Sequence, residues 1–287
     1  MIQKSFRMRQ LFERVVLLLN LQFRWWTNTE ITLLEKTSFF TSSLISLPLR
    51  KYVKLYGTRF SSDNPLALLL LPDYVTLVVA VRNAIAIANP QIEKFRILDI
   101  GGNVGQFATA AIRFMRADVI SYEPNPACWP HLTRNSSNYE QWTFIPRAVS
   151  ESETILPLHF VLGKSAQGSF SIANSKSNLL SDERTQVVKV AAGPVQISHL
   201  ENAGSSSSHF DLVKIDVEGF ELEALKGLKE ISFDYLLVEI AEDRDNGFTS
   251  EDVIAVVLDN LGCHIIEIYS DLPPNGRIPR NVLYQKI

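Results

Sequence analysis

One stretch limits this chain more than any other: Arg96-Ile97-Leu98-Asp99-Ile100-Gly101-Gly102-Asn103-Val104-Gly105-Gln106-Phe107. Ile97 to Ile100 is an apolar run of strand length. Gly101, Gly102 and Gly105 then form a turn in which the backbone bends sharply and a ligand can approach without a Cβ in the way. Beyond it, Phe107, Ala110, Ala111 and Phe114 recur at the i, i+3, i+4, i+7 spacing of a helix with one buried stripe. The N-terminus of that helix points at whatever sits above the turn.

The spacing separates two ligand classes. A dinucleotide fingerprint, G-x-G-x-x-G, needs glycine where this chain has Asn103 and Gln106. The pattern present is D-x-G-G-x-x-G, and an acid at the strand's end, Asp99, repels a pyrophosphate but suits a cationic amino group. The run Val119 to Glu123 ends in a second acid, 24 residues beyond Asp99, close to the separation expected of a carboxylate that accepts from ribose hydroxyls. Pro124-Asn125-Pro126 then breaks the strand. A ligand with an amino-acid end and a nucleoside end, such as S-adenosylmethionine, fits better than NAD. The plainer reading of Glu123 is a solvated strand end.

Length and composition allow a large core. The chain has 287 residues, 46% hydrophobic and 21% charged, enough for one globular domain with an N-terminal extension or for two small domains. A net charge of −3 and a pI near 6.0 give no basic stripe for phosphates, so nucleic acid is not an expected partner. Cys128 and Cys263 lie outside any C-x-x-C pattern, which indicates neither a disulfide framework nor a zinc site and fits a reducing, cytoplasmic setting.

Residues 1–28 carry Lys4, Arg7, Arg9, Arg14 and Arg24 against Glu13, a local charge of +4. Phe12, Val16, Leu19, Phe23 and Trp26 share one helical face, with Arg7 and Arg14 roughly opposite. Such a helix could make peripheral contact with an anionic membrane, though amphipathicity alone is the ordinary mark of a helix packed on the main domain or on a partner. The apolar run Val15 to Leu19 is too short for a signal peptide. A helix is expected around Ser38 to Leu47. Leu66 to Ala88 is strongly apolar, but Pro72 and Asp73 interrupt it, so the expectation is a helix from about Asp73 to Asn89, buried against the sheet, rather than a membrane span. Residues 1–90 thus read as a helical extension to a domain at 91–287.

Along that domain, a helix from about Pro126 to Asn138 leads to a third strand, Thr143 to Val149. Leu156 to Leu162 and Gln186 to Ala192 are β-like runs joined by the polar stretch Gly163 to Ser181. They form a β-rich insertion, either a lid or wall over the site or a surface decoration. After the linker Ser205 to Ser208 come a strand Asp211 to Asp216, a helix through Leu228, and a strand Tyr235 to Ile240. A helix capped by Thr249 then runs to Leu261 with Gly262 at the C-cap, and strands His264 to Tyr269 and Val282 to Ile287 follow. The alternation defines an α/β, doubly wound sheet, mostly parallel with an antiparallel last strand, whose ligand sits beyond the strands' carboxyl ends.

Three motifs together resemble the FkbM family of S-adenosylmethionine-dependent methyltransferases: Asp99 to Gly105, then Tyr122-Glu123-Pro124-Asn125-Pro126, then Val213-Lys214-Ile215-Asp216-Val217-Glu218-Gly219-Phe220-Glu221 followed by Leu225-Lys226-Gly227. The third is the most specific, and the likeness covers about Ile97 to Tyr269. Gly102 departs from the alanine usual in the family. The resemblance implies a class I, Rossmann-like methyltransferase fold and O-methylation of hydroxyl groups on sugars or secondary metabolites. By the same resemblance Asp99, Gly101, Gly102, Asn103 and Gly105 line the methionine end of the cofactor. Glu123 holds its ribose and Arg147-Ala148 border its adenine. Residues 1–90 inherit no role from it.

In-line displacement at a methyl group depends on alignment, and a hydroxyl acceptor profits from a base. Asp216 is the first candidate base and Glu239 the second, with Glu218 able to orient either. Each also has a local structural reading, as a helix cap or a strand-end carboxylate. The three acids are hard oxygen donors that would suit Mg2+, but they match no recognised ligand pattern, so no metal is expected. His209 falls at the far, amino end of its strand. The rival to a small-molecule or glycan O-methyltransferase is a non-catalytic module that keeps the fold and docks on a membrane or biosynthetic partner through its N-terminal extension.

Overall fold

Seven strands build the central sheet: β1 (Arg96–Ile100), β2 (Asp118–Tyr122), β3 (Trp142–Ile145), β4 (His209–Ile215), β5 (Ser232–Ala241), β6 (Cys263–Ser270) and β7 (Pro279–Lys286). Their spatial order is β3-β2-β1-β4-β5-β7-β6. Strands β1 to β5 pair in parallel, and β7 runs antiparallel between β5 and β6, as expected of a last strand. The order reverses between β1 and β4, so the crevice where such sheets bind ligands opens beyond Ile100 and Ile215. This computed structural model describes residues 19, 23, 25–46, 52–55, 58–61, 65–161, 164–169, 185–202, 207–241, 253, 256–270 and 279–287.

Strand alternation divides the core. Ile97, Val119, Leu212, Tyr235 and Leu237 face one side, where they meet α2 (Pro65–Ala88) and α3 (Gln106–Met115). Leu98, Ile120, Val213, Leu236 and Val238 face the other, where α6 (Glu221–Lys226) packs. By the same parity Asp99 follows Ile97, and Lys214 follows Leu212, onto the α2 and α3 side. The parallel register sets Lys214 directly beside Asp99.

The helices differ from expectation in instructive ways. α1 (Leu33–Ser46) starts earlier than Ser38, and Thr32 and Glu35 form its reciprocal cap: the Thr32 amide donates to Glu35 Oε2 and the Glu35 amide to Thr32 Oγ1. α2 begins at Pro65 and runs through Pro72 instead of starting after it. Proline removes one donor, a loss that burial of the apolar helix offsets, and the Pro72 carbonyl itself accepts from Asn28 Nδ2 and Thr76 Oγ1. By length and composition Leu71–Ala88 could cross a membrane, yet half of it is buried against the domain core. α3 is buried nearly all round rather than along a stripe, because α2 covers its outer side. α4 (Trp129–Ser136) is shorter than the expected Pro126 to Asn138, since Asn125 Oδ1 accepts from the Ala127 amide and holds the preceding residues in a turn. α5 (Ile197–Asn202) precedes β4.

The expected third strand, Thr143 to Val149, is two strands. The Arg147 amide donates to the Ile145 carbonyl across Pro146, a tight turn that ends β3. Ala148–Val149 then joins a second sheet, pairing with Thr185–Gly193, which is followed by Thr154–Val161 and Lys164–Ser169. This is the β-rich insertion, with one strand more than the polar stretch after Gly163 suggested. Thr249 lies outside the described residues, and the segment expected as a helix to Leu261 contains a π-helical turn, Val256–Asn260, closed by Gly262 at φ 63°.

At the N-terminus Trp25 is fully buried and stacks on Phe39, with ring centroids 4.4 Å apart. The face expected to be apolar points outward: Leu19, Phe23 and Trp26 are 63%, 70% and 44% exposed. Phe12, Val16, Arg7 and Arg14 lie outside the described residues.

Candidate active site

The turn after β1 is bound to both neighbours. The amides of Gly101 and Gly102 donate to the Tyr122 carbonyl at the end of β2, and the Asp216 amide donates to the Ile100 carbonyl. Gly101, Asn103 and Gly105 have φ of 88°, 50° and 95°, the left-handed region that glycine enters without cost. Two of the glycines answer a need other than ligand approach. A Cβ on Gly101 would run into the Asp216 carbonyl, and one on Gly105 into the Trp142 ring. The turn is tight so that the ends of β1 and β4 can touch.

Glu123 stands beside this turn, 7% exposed. Its Oε2 accepts from the Asn103 amide and its Oε1 from the Asn125 amide, both at 2.7 Å. Burial pushes its carboxyl up to about 7, against the pull of those two amides and of Lys214. The Asn125 Nδ2 group, also buried, has no hydrogen-bond partner among the described residues. A buried carboxylate with spare lone pairs and an orphaned amide in one loop fit a ligand that brings hydroxyl donors and a ring acceptor, as the adenosine half of S-adenosylmethionine does.

Across the turn the electrostatics change. Lys214 Nζ lies 3.1 Å from Asp99 Oδ1 and 3.4 Å from Asp216 Oδ2, within ion-pair distance of both. It also donates to the Gly101 carbonyl at 2.9 Å. Burial works against the charge, but Asp216, Asp99 and Glu239 outweigh it and hold the ammonium well above the ordinary lysine range. Asp99 is fully buried and accepts from Ser121 Oγ, which in turn accepts from Trp142 Nε1, so its cationic partner is Lys214. Tyr74 Oη of α2 donates to Asp216 Oδ2 at 3.1 Å. A polar chain thus crosses the layer: Trp142, Ser121, Asp99, Lys214, Asp216, Tyr74.

Glu239, at the end of β5, and Glu218, at φ 53°, bring carboxylate oxygens within 4.8 Å of one another and of Asp216. The structure therefore gathers Asp216, Glu218 and Glu239 at one end of the crevice and Glu123 and Asn103 at the other. Arg147 turns its side chain toward the insertion, pairing with Glu153 at 2.6 Å and His199 at 3.2 Å, while the Ile145 carbonyl accepts from the Glu123 amide. Ala148 is buried in the second sheet. His209 pairs with Asp234 at the amino ends of β4 and β5, far along the strands from this crevice. Sequence reasoning gave no role to Lys214, Tyr74, Ser121 or Asn125. Only Lys214 carried a signal, as a lysine inside the apolar run of β4.

Residues 99–263 match the family model described as the methyltransferase FkbM domain, more than half of the chain. The chain belongs to the FkbM methyltransferase family, whose methyl donor is S-adenosylmethionine. Among curated relatives, the hexuronic acid methyltransferase AglP of Haloferax volcanii is 33% identical over 149 residues, 50% of this chain and 54% of that one. Methyltransferase sdnD of Sordaria araneosa is 28% identical over 161 residues, 47% of this chain and 60% of that one. The matches thus span little more than half the length of these relatives. Among solved structures, magnesium protoporphyrin IX methyltransferase of Synechocystis with bound S-adenosylmethionine has a TM-score of 0.43 and 14% identity, covering 77% of this chain and 84% of that one. Fibrillarin of Aeropyrum pernix also has a TM-score of 0.43, at 12% identity and 82% of either chain.

Proposed function

We propose that this methyltransferase transfers a methyl group from S-adenosylmethionine to a hydroxyl of a sugar or other small metabolite. When bound, the cofactor would supply an electrophilic sulfonium methyl group, with a neutral thioether as the leaving group of the in-line displacement. In this reading Glu123 accepts from the ribose hydroxyls. The backbone of Gly101, Gly102, Asn103 and Gly105 lines the methionine end, and the Ile145 to Ala148 segment, Arg147 included, borders the adenine. Asp99 acts through Lys214 rather than by touching the ligand.

The observation that carries the proposal is Asp216, a half-buried carboxylate at the end of β4 held by Lys214 and Tyr74 beside the glycine turn. As a hydroxyl oxygen gains a methyl group, its proton becomes strongly acidic, so a carboxylate of ordinary basicity is a sufficient acceptor. Asp216 takes that proton, and Glu239 orients the hydroxyl. The crowding of Asp216, Glu218 and Glu239 disfavours an anionic nucleophile by repulsion, which supports a hydroxyl over a carboxylate acceptor. The hexuronic acid methyltransferase among the relatives supports a sugar. The test is transfer of labelled methyl from S-adenosylmethionine to a panel of neutral methyl hexosides and hexuronosides, with alkali-stable ether product expected. Product only as alkali-labile methyl ester would contradict the hydroxyl reading.

The outward face of Leu19, Phe23 and Trp26, within a segment of charge +4, favours a second, compatible reading: peripheral contact with an anionic membrane. Sedimentation with phosphatidylglycerol vesicles that is lost in a Phe23→Ser, Trp26→Ser variant would support it. No sedimentation of the unaltered chain would remove it.

A further inference from the structure

We propose that Tyr74 is a positioning residue of the acceptor site, fixing the Asp216 carboxylate through its hydroxyl and thereby making the α2 helix part of that site. The inference rests on the reading of Asp216 as proton acceptor. Tyr74 lies 25 residues before the first residue of the family match, in a segment with no inherited role. Its hydroxyl nevertheless reaches Asp216 Oδ2 from 142 residues away in sequence.

The geometry gives the phenol one task. Its ring packs edge-on against Phe107 of α3, with centroids 6.4 Å apart and planes at 75°, which sets its direction. Burial, then the facing carboxylates Asp216 and Glu239, hold the phenol protonated, so it donates and does not itself accept a proton. Lys214 Nζ approaches the same Oδ2. A hydrogen bond from the phenol and an ammonium on the same oxygen restrain the carboxylate's rotation. The helix is in turn fixed two residues to either side, where Asn28 Nδ2 donates to the Pro72 carbonyl and to Thr76 Oγ1. Tyrosine supplies the reach that a serine or threonine on α2 would lack.

Among the described residues, charged and titratable groups near Asp216 include Lys214 on the strand before it, Asp99 on β1, Glu218 on the following loop, Glu239 on β5 and Tyr74 on α2. Removing the phenol's hydrogen bond leaves the acids in place and takes away one donor, so the carboxylate becomes easier to protonate.

The test is Tyr74→Phe in the full chain, beside Asp216→Asn. Carboxyl 13C NMR titration, with the Asp216 signal assigned by its absence in Asp216→Asn, should show the Asp216 pKa about one unit higher in Tyr74→Phe. With labelled S-adenosylmethionine and the methyl hexoside panel, kcat should fall about tenfold and the acid limb of its pH profile should move upward by the same unit. Cofactor affinity should be unchanged. An unshifted Asp216 signal overturns the inference, as does an unchanged profile in a Tyr74→Phe enzyme that transfers methyl. Full transfer by Asp216→Asn would instead overturn the Asp216 reading, and the NMR result would still decide whether Tyr74 holds that carboxylate.

Discussion

The two ends of the crevice each present a buried or half-buried carboxylate, and they are supported in opposite ways. At the β2 end, Glu123 is held by two backbone amides, with Lys214 acting on it less than burial does, and its carboxyl is pushed up to about 7. At the β4 end, Asp216 shares Lys214 with the fully buried Asp99 and takes a phenol hydrogen bond besides. The first arrangement is incomplete without hydroxyl donors, which is what a ribose brings. The second is complete within the protein and is built to hold one orientation. In the proposed reading, one end accepts from the neutral ribose hydroxyls and the other keeps a carboxylate ready for the acceptor.

The contrast breaks most visibly at Lys214. In Lys214→Met, Asp99 is left buried without its cation, and denaturant unfolding should show a loss of about 3–5 kcal/mol, together with lost methyl transfer. A loss under about 1 kcal/mol would mean that the ion pair is not the support described.

Glu123 should show the opposite pH behaviour to a paired acid. Its proton leaves near pH 4.5 in the free carboxyl and near 7 in the folded chain, so the folded state binds more protons between those values. Apo stability should therefore be greatest below about 4.5 as far as this group is concerned. It should fall as pH rises to 7, by up to about 3 kcal/mol at roughly 1.4 kcal/mol per unit. Ribose donors favour the ionised form, so cofactor affinity should rise across the same window. Thermal unfolding of apo protein compared with titrations from pH 5 to 8 checks both, and cofactor affinity flat with pH would contradict the account.

The glycines sharpen the picture at smaller scale. Gly102→Ala adds a Cβ 3.0 Å from Ser121 Cβ at ordinary φ, so a change within about 1 kcal/mol is expected in unfolding experiments. Gly101→Ala meets the Asp216 carbonyl and should cost several times as much.

Much of this was legible from local patterns. The apolar run Ile97 to Ile100, the turn glycines and the acid at Glu123 carry their meaning within a few residues, and the antiparallel last strand followed from the missing helix before it. What was hidden depends on register and distance. Lys214 meets Asp99 because β4 pairs with β1 in one register, 115 residues apart, and Tyr74 reaches Asp216 because α2 lies over α3. The periodicity of α3 showed the stripe facing the sheet but not the helix covering its other side. Pro146 lies inside the apolar run Thr143 to Val149, whose continuity hides the turn at which the chain leaves one sheet for another.

In the proposed reading, cofactor binding and acceptor activation reside at separate carboxylates. Calorimetric titration of S-adenosylmethionine at pH 7.5 into the unaltered chain, Glu123→Ala and Asp216→Asn tests it most directly. The account predicts affinity lowered about 30-fold or more in Glu123→Ala, from the loss of charge-assisted hydrogen bonds, and unchanged within about twofold in Asp216→Asn. Equal affinity in Glu123→Ala, or a loss in Asp216→Asn as large as that in Glu123→Ala, would contradict it.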